Sequence, residues 1–328
     1  MSPAGYHFTL FGSAMNIPSP TAIYRMNSTH LHLSPTPPFD FAAAAFSHGW
    51  ARLAPNAWDE AARVLTRVER LDSGQVVDLR VTGADDARQP RVEIAVAHVA
   101  PLTNADQAEI TRKVGHMLRV DEEFGEFYAL CAARGGRWAA IGGGLGRLLR
   151  SPTVWEDVVK TIATTNTQWS GTKAMTRALC DALGEPFPGD PARRAFPTPE
   201  AVAAAPPATL AAARFGYRAP YVQELARRVV IGELELEGLT RSDLPTPELR
   251  RLLLGIKGVG PYAAATLLML LGRYDALGYD TILRDFVSAR YFAGERLPER
   301  ELLAVYDDWG RWRYLAYWFE MWLADPEA

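Results

Sequence analysis

One stretch constrains this chain more than any other: "LLLGIKGVGPYAAATLLMLLG", Leu252 to Gly272. The preceding "PTPELRRLLLGI" predicts a helix started by Pro247 and ended near Gly255. Gly258 and Gly260, either side of Val259, predict a tight turn, and Pro261 takes a favoured first helical position. The expected unit is helix, hairpin, helix over about residues 247–272. Its glycines let the backbone approach another surface closely, and the first N–H groups of the second helix have no intrahelical partners. Such an end suits an anion. A capping turn that binds nothing has the same glycine pattern, so the glycines alone leave both readings open.

The rest of the chain is read around that unit. At 328 residues it is long enough for more than one core. Its hydrophobic fraction of 48% and charged fraction of 22% are those of a soluble globular protein, and no uncharged apolar run reaches membrane-spanning length. The opening "MSPAGYHFTLFGSAMNIPSP" lacks a basic start followed by an apolar core, so no secretory signal is expected and the cytoplasm is the default. Two cysteines, Cys131 and Cys180, leave no room for a disulfide framework, a zinc knuckle or a four-cysteine iron–sulfur site, so no structural metal is expected. The net charge of −3 gives no whole-chain basic signature, so any nucleic-acid contact must be local.

Residues of about 40 to 100 carry strand signals. "VVDLRVTG" and "RVEIAVAHV" alternate with period two across the turn-rich "ADDARQP", which predicts an antiparallel sheet. "NAWDEAARVLTRVERL" fits either a strand or a helix. From "TNADQAEITRKVGHMLRV" onward, with Asn104 as the expected cap, the character is helical almost to the end. Pro, Gly and capping residues punctuate it at "LRSPTVWED", "LGEPFPGDPARRAFPTPEAV", "RFGYRAPYV" and "SDLPTPELR". No internal repeat is found. The expected class is α+β: a β-rich N-terminal domain over 1–120 and a mostly α-helical region over 121–328.

After the hairpin and one apolar helix comes Asp280, between "RYDALGY" and "TILRDFVSARYF". An Asp there is an N-cap by default. Its place after the hairpin is more specific, and the stretch resembles the helix-hairpin-helix DNA glycosylase superfamily, whose catalytic Asp follows the hairpin at about this distance. "FPTPEAVAAAPPATLAAARFGYRAPYVQELARRVVIGEL" looks like the segment before the hairpin in the 3-methyladenine DNA glycosylase II and 8-oxoguanine DNA glycosylase families, and "GYRAPYV" is closer to the latter. "WGRWRYLAYWFEMWLADPEA" looks like the aromatic end of the 3-methyladenine enzymes, and "LLRSPTVWEDVVKTIATTNTQWSGTKAM" resembles the helix and loop that insert a side chain into DNA in both. The resemblance covers about residues 145 to 328.

The resemblance implies double-stranded DNA containing a damaged base as partner, Asp280 as the catalytic residue, no cofactor and a monomer; a nucleoid-associated bacterial-type protein is expected. In bifunctional members a Lys two residues after the second hairpin glycine attacks the sugar. Here that residue is Tyr262, and Lys257 lies on the other side of the hairpin, so a glycosylase without strand cleavage is expected. Asp275 and Asp285 are the competing carboxylates, read as solvated. The expected base pocket draws on Tyr262, Ile282, Tyr314, Tyr317, Trp318 and Met321, with Trp312 and Trp322 in the same aromatic tail, of which at least half should pack inward. By the resemblance, Tyr317, Met321 and Ile282 replace the Gln, Phe and His of the oxoguanine enzymes, which counts against an oxoguanine substrate, and a wide aromatic pocket suits cationic alkylated purines better. Asn166 is the expected plug, with Gln168 and Trp169 beside it. DNA contacts are expected from Gly258, Val259, Gly260, Lys257, Lys173 and Arg218.

Overall fold

The computed structural model describes residues 26–84 and 86–324; the N-terminal stretch read for a signal and the last four residues lie outside the described residues. Five strands, β1 (Asn27–Leu33), β2 (Asn56–Asp59), β3 (Val64–Arg70), β4 (Val76–Gly83) and β5 (Val92–His98), form one antiparallel sheet ordered β1-β5-β4-β3-β2. Period-two alternation sets the register: Val81 faces Ile94 and Leu79 faces Val96, and all four are buried. "NAWDEAARVLTRVERL", open in sequence, folds as β2 and β3, because Leu65 and Val68 have core to meet on the sheet.

The helices follow from α1 (Phe41–Ala45), which is inserted between β1 and β2, through α2 (Asn104–Leu118), α3 (Gly125–Arg134), α4 (Val154–Thr164) and α5 (Trp169–Leu183). Then come α6 (Pro199–Ala204), α7 (Pro207–Ala212), α8 (Ala219–Val230), α9 (Thr246–Leu254), α10 (Pro261–Leu270), α11 (Thr281–Tyr291), α12 (Glu299–Ala304) and α13 (Arg313–Ala324). The cap of α2 is Thr103 rather than Asn104: its hydroxyl and the Asp106 side chain satisfy each other's backbone N–H in a capping box. A second correction concerns "EPFPGDPARR", expected within a helical region. Pro188 and Gly189 turn it into a hairpin of β6 (Pro186–Phe187) and β7 (Asp190–Arg194), whose Phe187 packs on Val68 beneath the main sheet.

Sheet and helices share one hydrophobic core. It runs from Val77, Val81 and Ile94 through Val158 and Ile162 of α4 to the helix α10, buried from Ala263 to Leu270. Buried charge also crosses the join. Arg67 of β3 is bidentate to Glu156 of α4 (2.7 and 3.0 Å) and also bonds Glu69 and Asn56; Lys160 completes the Glu156 site at 2.6 Å, and Lys113 of α2 reaches Glu69 at 2.8 Å. Glu156 is held down at about 2, the Arg67 and Lys160 charges outweighing the effect of its burial. No helix among the described residues is long and apolar enough to cross a membrane.

Candidate DNA-repair site

The hairpin forms as its glycines require. Gly258 has φ of +93°, and a Cβ there would lie 3.0 Å from the Tyr221 ring of α8. Gly260 caps α10, and after Pro261 the N–H groups of Tyr262 and Ala263 open that helix outside the intrahelical ladder. Val259 contributes differently from expectation: its side chain is buried and its N–H donates to Ile256 O, so it anchors the turn from inside. Lys257 is exposed, with Nζ 5.7 Å over the Tyr221 ring.

At the far end of α10 the chain loops back to α11, which Asp280 caps, with Oδ1 accepting from Leu283 N–H at 2.8 Å. Partial burial pushes this carboxyl above the usual aspartate range, against the N–H groups of Leu283 and Ile282, which favour its charge. Burial raises the phenols of Tyr262, Tyr314 and Tyr317, and the Asp280 charge adds to the effect at each of them. The rival carboxylates are engaged elsewhere: Asp275 accepts from the Thr246 hydroxyl at 2.8 Å, and Asp285 is exposed and paired with Arg284. Glu320 of α13 keeps α11 in place by accepting from the Tyr291 and Tyr306 hydroxyls.

Two residues beyond Asp280, Ile282 reaches a cavity of about 490 Å³ that Tyr262, Trp318 and Trp322 also line; Asp280 itself is not part of this lining. The other pocket candidates lie behind this lining. Tyr314 is buried and stacks on Trp318 with ring centres 6.3 Å apart, Tyr317 is buried against Phe286 and Tyr306, and Met321 contacts the Tyr317 hydroxyl; Trp312 belongs to the core with Tyr274 and Phe127. These aromatic side chains meet core on their inner faces, which leaves only one edge of α13 for the cavity.

The facing wall was missed in sequence. It is the segment "FSHGWAR", Phe46 to Arg52, just after α1. Trp318 Nε1 donates to Ser47 O at 3.0 Å, Trp50 Nε1 donates to Asp157 of α4 at 2.7 Å, and Arg52 lies 4.5 Å over the Phe46 ring. Two aromatics with a glycine between them, set in a gap between strand signals, were the available clue. Trp169 also corrects its expected place: its ring lies so close over Gly49 that a Cβ there would be 2.4 Å away, and it walls the cavity rather than standing beside the plug.

Asn166 is exposed at the end of α4 with φ of +45°, a left-handed conformation that Asn tolerates better than most residues. Its amide donates to the Tyr217 hydroxyl at 3.2 Å. Arg218, expected at a phosphate, is buried instead and spends its guanidinium on the carbonyls of Thr165 and Asn166. It is a strut for the loop that carries Asn166. Gln168, the N-cap of α5, and Lys173 in its second turn are exposed.

Comparison with known proteins follows this geometry. Residues 159–323 match the family described as HhH-GPD superfamily base excision DNA repair protein. No curated protein matches the sequence. Among solved structures, the chain is similar to a 3-methyladenine DNA glycosylase from Archaeoglobus fulgidus, at 19% identity over 90% of this chain and 99% of that one, with a TM-score of 0.69. It is also similar to the 8-oxoguanine glycosylase/lyase of Clostridium acetobutylicum bound to double-stranded DNA, at 17% identity over 92% and 98%, with a TM-score of 0.67. At these identities the likeness is one of fold.

Proposed function

The chain belongs to the HhH-GPD superfamily of base excision DNA repair proteins, and from that premise we propose that it is a monofunctional DNA glycosylase that hydrolyses the N-glycosidic bond of alkylated purines. The observation that carries this reading is Asp280, a partly buried carboxylate two residues before Ile282 of an indole-lined cavity, with a phenol at Tyr262, a residue of that lining, where a strand-cleaving enzyme needs an amine. The damaged nucleotide leaves the stack and its base enters the cavity, while Asn166 fills the gap. As the glycosidic bond breaks, positive charge develops on the sugar; the ionised Asp280 stabilises it and orients the water that attacks. A phenol cannot form a Schiff base, so the sugar–phosphate strand stays intact. Electron-rich indoles at Trp50, Trp169, Trp318 and Trp322 favour an electron-poor, alkylated ring.

The test is release of bases from methylated duplex DNA by the purified protein, with strand breaks scored before and after hot alkali. Methylpurine release with breaks only after alkali supports the proposal. Breaks without alkali overturn the monofunctional part, and release confined to oxidised bases overturns the alkylpurine part. Asp280→Asn is expected to lower release by orders of magnitude while DNA affinity is kept.

A further inference from the structure

His48 lies in the wall that the sequence did not reveal, and what it does there rests on the cavity being the base pocket. Its Nε2 is 2.5 Å from Leu149 O. A carbonyl oxygen only accepts, so Nε2 carries the hydrogen. Burial, helped by the charges of Arg119 and Lys160, pushes the imidazole down to about 4, which leaves the ring neutral at neutral pH. Nδ1 is then a bare acceptor.

None of the described residues donates to Nδ1, and it is not among the enclosed polar atoms without a partner. The ring is fixed between Trp50, 4.9 Å away, and the edge of Trp318 at 6.1 Å, and it lines the cavity. Several other polar groups around the cavity are already engaged. The hydroxyls of Ser47, Thr164, Thr172 and Thr266 donate to nearby carbonyls, Trp318 Nε1 takes Ser47 O, and Trp50 Nε1 takes Asp157. The Tyr262 and Thr167 hydroxyls also line the cavity and can turn to donate or accept, whereas His48 Nδ1 is an acceptor held in one tautomer.

We propose that His48 is a specificity-determining residue whose Nδ1 accepts a hydrogen bond from the exocyclic amino group of the extruded base, so that the cavity selects N-alkylated adenines. A base without that amino group leaves Nδ1 desolvated and unpaired, and a base with a carbonyl there sets two acceptors against each other. The Leu149 carbonyl holds the tautomer, so the ring cannot adapt by moving its proton to Nδ1 without losing that bond.

The test uses free 3-methyladenine and 3-methylpurine, which is the same ring without the amino group, titrated into the full chain while quenching of tryptophan fluorescence is read. The wild-type protein is expected to bind the amino base about tenfold more tightly. His48→Phe should bind both alike, and His48→Asn, which restores an acceptor near the Nδ1 position, should recover part of the preference. Nitrogen NMR of the wild-type protein tests the same claim without a variant. It should show a protonated Nε2 and a bare Nδ1 whose resonance moves with 3-methyladenine and stays with 3-methylpurine. Equal affinities in the wild-type protein, a preference unchanged in His48→Phe, or a protonated Nδ1 would overturn this role while methyladenine release from DNA left the glycosylase reading standing. No quenching by either base together with no methylpurine release would overturn both.

Discussion

Asp280 sits between two opposing influences, partial burial that disfavours its charge and helix-end N–H groups that favour it, and burial prevails. If the ionised form stabilises the sugar cation, base release should fall on acidification with a midpoint above that of an ordinary aspartate; a pH–rate profile on methylated DNA checks this, and a midpoint at or below 3.8 would contradict it. Two basic residues expected at DNA separate just as sharply. Lys257 is exposed and free to meet a phosphate, so Lys257→Ala should lower the slope of log affinity against log salt by about 1. Arg218→Met should leave that slope alone and slow base release instead, because it frees the Asn166 loop. Sequence gave no means of telling these two residues apart, since a buried Arg that caps a loop's carbonyls reads the same as one aimed at DNA. The cap at Asp280 was legible because capping asks for a short acceptor at a helix start, which is also the position that the proposed catalysis uses.

At the level of elements, the hairpin depends on a backbone conformation that a side chain resists. Gly258→Ala places a Cβ 3.0 Å from the Tyr221 ring at φ of +93°, so thermal unfolding should show a loss of about 1 kcal/mol or more, and DNA affinity should fall with it. The helix-hairpin-helix unit was readable in the sequence because glycine and proline act locally there. Local signals also found β4 and β5, with their clean alternation. They missed β6 and β7, where proline-rich residues resemble a linker until Phe187 finds the underside of the sheet. Segment 46–52 was hidden for a different reason: its residues become a wall only when Trp318 and Trp169, more than a hundred residues away, close over it.

For the whole molecule, the join between sheet and helices carries the largest single sensitivity. Glu156→Gln would leave Arg67 and Lys160 buried without their shared carboxylate, and a loss of about 3 kcal/mol is expected in denaturant unfolding. Acid should loosen the fold through its histidines. His116 is held down to about 3, mainly by burial and then by Arg150 and Arg119, so its neutral form contributes stability above pH 6.5 that is lost as the pH falls toward 3. His48 acts in the same direction. Asp157, raised to about 6 by burial, opposes them: its contribution is present below 3.8 and is lost as the pH rises through 6. The histidines together outweigh it, so melting temperature should drop between pH 6.5 and 4, and His116→Gln should flatten that drop. The cavity itself joins separately encoded parts. Tyr262 and Ile282 travel with the hairpin and Asp280, Trp169 comes from α5 and Trp318 from α13, while one wall is a seven-residue cassette before β2. On the proposed reading, a lineage with this architecture changes its diet of lesions by rewriting that cassette, with the hairpin and Asp280 left as inherited.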